Sequence, residues 1–285
     1  FRLAHHPEFL REGSAIQDFY DPGRVLVGAN DDEACDTVTD LYSEVEAREY
    51  RTSIRASEMV KYVDNAFHAL KVSFANEIGQ VCREVGVSGR RVMDIVCSDT
   101  TLNISPAYLT PGFAFGGSCL PKDLSALVAR ADDERVSVPV LNSIRESNER
   151  RIDELAVRVR ETGAERVGIA GLTFKPETDD MRESPYVKLG ATLLDEGLSV
   201  TLWDPVVRLE KIGGQNARFL LDRVPDARRR MVDDFSDLWG LDLIVLSADL
   251  PSETVERALE TDTRVIDVRF DADPELGGSR YETYV

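Results

Sequence analysis

The chain has 285 residues, 42% of them hydrophobic and 30% charged, a globular composition long enough for about two domains. A net charge of −18 argues against a nucleic-acid partner, which would want a basic face, and no apolar run approaches the roughly 18 residues of a membrane span. Four cysteines without a Cys-x-x-Cys pair, beside only three histidines, argue against a zinc site; with no secretion signal in view, a reduced, cytoplasmic setting fits best.

Positive charge comes from 28 Arg and only 6 Lys, a bias that a high-salt organism and a GC-rich genome explain equally well. Half of the lysines, Lys61, Lys122 and Lys175, fall in the motifs below. The opening Phe1-Arg2-Leu3-Ala4-His5 reads as the interior of a longer chain, so a fragment is expected.

Residues 1–50 begin with Pro7-Glu8-Phe9-Leu10-Arg11-Glu12-Gly13, two carboxylates four positions apart. A catalytic acid or base is one reading and surface charge the other, and these residues alone favour the surface. A strand at Val25–Gly28 and a helix from Asp31 to Glu46 follow, one β-α step and too little for a domain.

Residues 51–150 read as helical. From Ala56 to Val85 the residues Met59, Val60, Val63, Phe67, Leu70, Phe74 and Ile78 recur at helical spacing, and Gly86 closes the run. About 30 residues span roughly 45 Å, the length of a domain connector or a dimer seam. Lys61 and Asn65 share a face and offer a cation and an amide donor, as a developing oxyanion requires. A solvated helix face is the alternative, although Val60, Val63 and Phe67 are expected to crowd that turn.

The densest signal is Gly112-Phe113-Ala114-Phe115-Gly116-Gly117-Ser118-Cys119-Leu120-Pro121-Lys122-Asp123. The Gly pair lets backbone press against a ligand. Pro121 is expected to open a helix over 123–130. A thiol at that helix N-terminus, beside a lysine, is expected to have a lowered pKa and act as a nucleophile. A buried structural cysteine is the bland reading, which the glycines and the Lys-Asp pair outweigh.

Residues 151–285 alternate strand and helix. Strands are predicted at Arg166–Ala170, Ser199–Trp203, Asp242–Leu246 and Arg264–Val268, with helices near 184–197 and 252–260. The pattern predicts a parallel, Rossmann-like sheet. Its first turn, Gly168-Ile169-Ala170-Gly171-Leu172-Thr173-Phe174, lacks the Gly-x-Gly-x-x-Gly spacing, so dinucleotide binding there is not expected. Ligands should still gather at the carboxyl ends of the strands, where the first loop carries Lys175, Asp179, Asp180 and Arg182.

Four blocks occur in order: His6-Pro7-Glu8-Phe9-Leu10-Arg11-Glu12-Gly13-Ser14-Ala15-Ile16, Glu58-Met59-Val60-Lys61-Tyr62-Val63-Asp64-Asn65-Ala66-Phe67, Phe115-Gly116-Gly117-Ser118-Cys119-Leu120-Pro121-Lys122-Asp123 and Thr173-Phe174-Lys175-Pro176-Glu177-Thr178-Asp179-Asp180-Met181-Arg182-Glu183-Ser184-Pro185. Together they resemble the UDP-glucose/GDP-mannose 6-dehydrogenase family over nearly the whole chain, and the glycine-rich block is most similar to the GDP-mannose branch. The resemblance implies an α/β fold: a remnant of an NAD-binding Rossmann domain over 1–50, a central helical, 6-phosphogluconate dehydrogenase-like domain over 51–150, and a nucleotide-sugar-binding Rossmann-like parallel sheet over 151–285.

It also implies a role in polysaccharide biosynthesis, through a four-electron oxidation of a sugar C6 alcohol to a carboxylate with two NAD⁺. Cys119 matches the nucleophile that forms a thiohemiacetal and then a thioester. Lys61, helped by Asn65, matches the oxyanion stabiliser. Asp123 matches the carboxylate that assists proton removal through a water, and Glu8 the glutamate of thioester hydrolysis. Phe9, Leu10, Tyr108, Phe113, Gly116 and Lys175 match substrate-binding positions; Glu12 and Arg182 match the NAD side. A homodimer or higher homo-oligomer built on the long helix is implied as well.

Three departures stand out. The Gly-x-Gly-x-x-Gly of the family's NAD domain does not occur in these residues, so the isolated chain is expected to bind NAD poorly and to be inactive. His6 stands where the family usually writes Asn. No Lys or Arg lies between Arg91 and Lys122, where the family offers a cation to a neighbouring subunit's substrate. Two alternatives stay open: a UDP-glucose or other UDP-sugar 6-dehydrogenase, and a nucleotide-sugar-binding or dimerisation module without turnover.

Overall fold

A computed structural model describes residues 1–10, 14–109, 112–173, 178–209, 214–269, 272, 276 and 278–284. The chain divides into two compact units, Phe1–Asn76 and Glu77–Val285.

The first unit contains β1 (Ala4–His5), α1 (Ala15–Tyr20), β2 (Val25–Ala29), α2 (Asp32–Thr39), β3 (Glu49–Thr52) and most of α3 (Ile54–Glu84). Its sheet runs β1-β2-β3, with β2 and β3 parallel and β1 antiparallel. The expected β-α step is thus a β-α-β step with a further short strand. The apolar run of β2 is buried on both faces, whereas Glu49-Tyr50-Arg51-Thr52 is largely exposed and pairs through backbone alone. Asp31 caps α2 by accepting from the Ala34 N–H at 2.9 Å. The helix stops at Thr39 rather than Glu46. A 3₁₀ turn over Asp40–Tyr42 replaces its second half and swings Tyr42 inward, where its hydroxyl donates to His6 Nε2 at 2.7 Å.

α3 matches the predicted Ala56–Val85 to within two residues at each end. Gly86 ends it with φ +73°, and the Val87 N–H wraps back to the Cys82 carbonyl at 2.8 Å.

The second unit holds α4 (Gly89–Ser98), α5 (Cys119–Asp133), α6 (Pro139–Glu161), β4 (Arg166–Ala170), α7 (Pro185–Asp195), β5 (Ser199–Trp203), α8 (Gly214–Arg223), α9 (Ala227–Arg230), β6 (Leu243–Leu246), α10 (Ser252–Leu259), β7 (Arg264–Asp267) and β8 (Tyr281–Thr283). The predicted strands are present, and β8 is one that three residues with a single apolar side chain could not announce. The sheet order is β5-β4-β6-β7-β8, parallel throughout. That is the doubly wound arrangement, whose order reverses between β4 and β6.

One face of the sheet packs Leu155 and Val159 of α6 and Leu189 and Leu193 of α7 against Ile169, Leu202 and Val245. The other packs Phe235, Leu238, Val255 and Ala258 against Ile244 and Val265. A fully buried Leu or Ile of this kind contributes about 1.5–3 kcal/mol. α6 starts without a side-chain cap of its own. The buried Glu77 carboxylate supplies one from a distance, accepting from the Val140 and Leu141 N–H groups at 2.7 and 3.0 Å.

Candidate active site

Cys119 is the first residue of α5 and is exposed. The helix opens two residues before the position that Pro121 was expected to mark. Pro121 fits there because first-turn N–H groups have no intrahelical acceptor to lose. Lys122 and Asp123 pair with each other at 3.3 Å and lie open to solvent.

The loop ahead of Cys119 is fixed at three successive residues. Asn148 of α6 meets Phe115 twice: its Oδ1 accepts from the Phe115 N–H at 2.8 Å and its Nδ2 donates to the Phe115 carbonyl at 3.0 Å. Gly116 lies so close to the 183–185 turn that a Cβ would stand 2.7 Å from the Glu183 carbonyl oxygen. Gly117 takes φ +86° and its N–H donates to the Arg182 carbonyl at 2.9 Å. The glycine pair was expected to approach a ligand; within this unit it approaches the chain's own backbone. Glu183 completes the contact with φ +52°, unusual for a side chain with a Cβ.

Arg182 is held by Asp180, which accepts from its Nε at 2.9 Å and its Nη2 at 2.7 Å. That pairing lifts the guanidinium pKa above its ordinary value and lowers the Asp180 carboxyl. Phe113 is half-buried. It stacks on Tyr186 at 5.6 Å between centroids and meets Tyr284 edge-on at 5.7 Å. Tyr108 is 83% exposed, with φ +63°. Behind the loop a groove of about 610 Å³ runs along α5 to α8, where Lys122, Arg145, Lys188 and Arg223 face Glu149, Asp153 and Glu183.

At the carboxyl ends of β4 and β6 the backbone closes tightly. Gly171 has φ +104°, and a Cβ there would meet Ser247 Oγ at 2.4 Å. Ser247 Oγ donates to the Gly171 carbonyl at 2.9 Å. Tyr186 lies close by, its hydroxyl pushed up to about 12 by burial, against a smaller opposing hydrogen bond from Ser247. Asp204, at the end of β5, is buried and accepts from the N–H groups of Leu172, Thr173, Val206 and Val207.

In the first unit, Lys61 Nζ donates to the Glu8 carbonyl and lies 3.4 Å from its carboxylate. The same ammonium sits 5.4 Å from the centre of the Phe9 ring, and the Arg24 guanidinium lies 4.5 Å from that ring. Arg24 in turn ion-pairs with Asp64. Glu8, Phe9 and Leu10 line a small cleft with Phe19 and Tyr42. His6 is locked as one tautomer: Nδ1–H donates to the Leu26 carbonyl at 2.8 Å and Nε2 accepts from Tyr42. Asn65 is exposed one turn beyond Lys61. The apolar crowding expected at that turn is not found, since Val63 and Phe67 are 56% and 37% exposed. Glu12 and Lys175 lie outside the described residues.

Three residues with clear structural work escaped the sequence reading. Asn148 is one polar residue in the charged run Arg145-Glu146-Ser147-Asn148-Glu149-Arg150, and nothing local distinguishes it. Arg24 likewise has no signature. Asp204, an acid directly after a strand of a parallel sheet, did carry a positional signal.

Family models match three stretches of the chain: the NAD binding domain of the UDP-glucose/GDP-mannose dehydrogenase family over residues 1–46, its central domain over 55–150 and its UDP binding domain over 168–268. The chain belongs to the UDP-glucose/GDP-mannose dehydrogenase family. A family relative, the GDP-mannose 6-dehydrogenase of Pseudomonas syringae pv. syringae, is 42% identical over 247 residues, 86% of this chain and 56% of the relative. A UDP-glucose 6-dehydrogenase of Haloferax volcanii is 38% identical over 213 residues, 72% of this chain and 49% of the relative. The crystal structure of a ternary complex of GDP-mannose dehydrogenase from Pseudomonas aeruginosa superposes with a TM-score of 0.88 at 35% identity, covering 98% of this chain and 64% of that one. The chain therefore spans about half the length of the curated family members it matches. Among the described residues no helix is long and apolar enough to cross a membrane.

Proposed function

We propose that this chain is the substrate-side portion of an NAD-dependent, cytoplasmic nucleotide-sugar 6-dehydrogenase that oxidises GDP-mannose to GDP-mannuronate. The observation that carries the reading is Cys119: an exposed thiol on the first residue of α5, behind a loop fixed at Phe115, Gly116 and Gly117. A thiol displayed on a held loop suits covalent capture, and binding alone has no need of it.

The residues of this chain would divide the work as follows. Lys61 and Asn65 stabilise the alkoxide and later oxyanions, and Asp123 assists removal of the hydroxyl proton through a water. Cys119 Sγ adds to the C6 aldehyde, whose oxygen takes a proton, giving a thiohemiacetal. Loss of hydride from that carbon and of the proton from its hydroxyl leaves a thioester, which water cleaves with help from Glu8, returning the thiol. NAD⁺, when bound, supplies the hydride acceptor, and the balance is alcohol plus two NAD⁺ plus water to carboxylate plus two NADH plus three protons.

The residues here fit only part of an NAD site. The first unit carries one parallel β2-α2-β3 step, the Gly-x-Gly-x-x-Gly turn does not occur in the sequence, and Arg182 is the described residue proposed to face the cofactor. The ordered division into a cofactor portion over 1–50, a central helical portion over 51–150 and a nucleotide-sugar portion over 151–285 belongs to the same proposal. So does self-association through α3, whose Met59, Tyr62, Val63 and Leu70 are each at least 50% exposed.

UDP-glucose is the second reading, favoured by the Haloferax volcanii relative. Calorimetric titration of both nucleotide sugars into this chain decides between them: GDP-mannose is expected to bind at least about tenfold more tightly, a difference near 1.4 kcal/mol. Tighter UDP-glucose binding would reassign the substrate. Heat from neither would remove the nucleotide-sugar reading of the second unit.

A further inference from the structure

We propose that Asn148 is a positioning residue for Cys119: its amide clamps the Phe115 backbone and thereby fixes the turn that sets the thiol beside Arg182. The inference rests on the reading of Cys119 as the nucleophile. Both halves of the amide are used, one accepting at 2.8 Å and one donating at 3.0 Å, so the peptide groups on either side of Phe115 are held as a neighbouring strand would hold them. The clamp stands on a firm base. α6 is anchored in the core by Ile152, Leu155 and Val159, and its first turn is capped by Glu77.

Only Gly116, Gly117 and Ser118 separate the clamp from the thiol. Gly116 has no room to shift toward Glu183, and Gly117 is tied to the Arg182 carbonyl. Arg182 cannot swing freely, because Asp180 grips the Nε–Nη2 edge of its guanidinium with both carboxylate oxygens. The clamp, the glycine contact and the Asp180–Arg182 pair thus fix one thiol and one cation against a common piece of backbone. Cutting the clamp frees Phe115 and lets the thiol leave the cation.

The test uses the full 285-residue chain carrying Cys97→Ser, which leaves Cys119 as the exposed cysteine, since Cys35 and Cys82 are buried. Alkylation at Cys119 is followed by peptide mass spectrometry with anionic iodoacetate and neutral iodoacetamide. The Gly117 N–H on the Arg182 carbonyl keeps that cation's backbone two residues from Cys119, and a cation near a thiol favours the anionic reagent, so Asn148→Ala is expected to lower the iodoacetate-to-iodoacetamide rate ratio by about threefold. Arg182→Gln should lower it equally, and the double variant should show no further drop. Asn148→Ser, too short to bridge both peptide groups, is expected to match Asn148→Ala and serves if the alanine variant does not fold. An unchanged ratio in a folded Asn148 variant would leave the residue a tie of the fold alone and overturn the proposal; so would an unchanged ratio in Arg182→Gln. Alkylation needs neither sugar nor NAD, so a failure of this inference is read separately from a failure of the dehydrogenase reading, which shows in the nucleotide-sugar titrations.

Discussion

Replacing Cys119 by Ser, in an assembly that includes a complete NAD-binding domain, is expected to abolish release of the sugar acid while leaving nucleotide-sugar binding in place. The side chain is exposed on the first turn of α5, so the exchange of sulfur for oxygen disturbs no packing. What changes is the nucleophile. A thiol is partly ionised near neutral pH and intrinsically reactive, whereas a serine hydroxyl without an adjacent general base is neither. The expected loss is on the order of 10⁴-fold or more, the scale on which removal of a covalent nucleophile is felt. Acid formation is measured by anion-exchange chromatography and hydride transfer by NADH absorbance. The parent enzyme should yield two NADH per sugar, and the variant at most one, because without the thiohemiacetal the aldehyde carbon presents no second hydride for transfer. Acid accumulating at the parent rate would sink the covalent mechanism.

The contrast between the elements that were legible and those that were not shows what kind of information the sequence carries. Strands β4 to β7 of the second unit were legible because each is a short, mainly apolar and largely buried run, bounded by turn residues and alternating with amphipathic helices. Cys119 was legible because glycines, a thiol, a proline and a charged pair together mark a constrained turn. β3 escaped because Glu49 to Thr52 pairs through backbone alone, which leaves no apolar signature. The premature end of α2 escaped for a similar reason: the polar residues there suit helix or 3₁₀ turn alike, and the Tyr42–His6 hydrogen bond, 36 residues distant in sequence, favours the tighter turn.

The same logic applies to the site's supports. Gly116 was read as making room for a ligand, which is what a glycine pair beside a nucleophile suggests. Its lost Cβ instead makes room for the Glu183 carbonyl, 67 positions further along the chain. Phe113 carries its own lesson. An aromatic in a glycine-rich loop resembles a ligand contact, yet Tyr186 and Tyr284 cover it and anchor the loop. Short-range sequence reading picks out a candidate reactive group. The groups that hold it in place come from remote parts of the chain, and only the fold identifies them.

Asp204→Ala is the substitution expected to cost the second unit most among the polar positions described. The carboxylate is 1% exposed and accepts four backbone hydrogen bonds: at Oδ2 from Leu172 at 2.7 Å and Thr173 at 3.3 Å, and at Oδ1 from Val206 at 2.8 Å and Val207 at 2.9 Å. One side chain therefore sets where the chain leaves β4 and how it turns after β5. Alanine strands those donors in a region that Leu172 and Val207 make apolar. At about 1–3 kcal/mol for each buried donor left unpaired, with the long Thr173 bond counting least and water relieving some of the rest, a loss of about 4 kcal/mol is expected. Asp204→Asn keeps one acceptor oxygen but turns an NH₂ group toward the other pair of donors, so about half that loss should remain. Urea denaturation of this chain, followed by tryptophan fluorescence, gives both numbers, because Trp203 is the residue before Asp204. A loss below about 1 kcal/mol in the alanine variant would mean that the backbone finds other partners there. The two variants also separate stability from binding: without urea, at a temperature where both remain folded, a nucleotide-sugar affinity that falls with the lost hydrogen bonds would place Asp204 behind a ligand at the carboxyl ends of the strands, beside the switch point between β4 and β6.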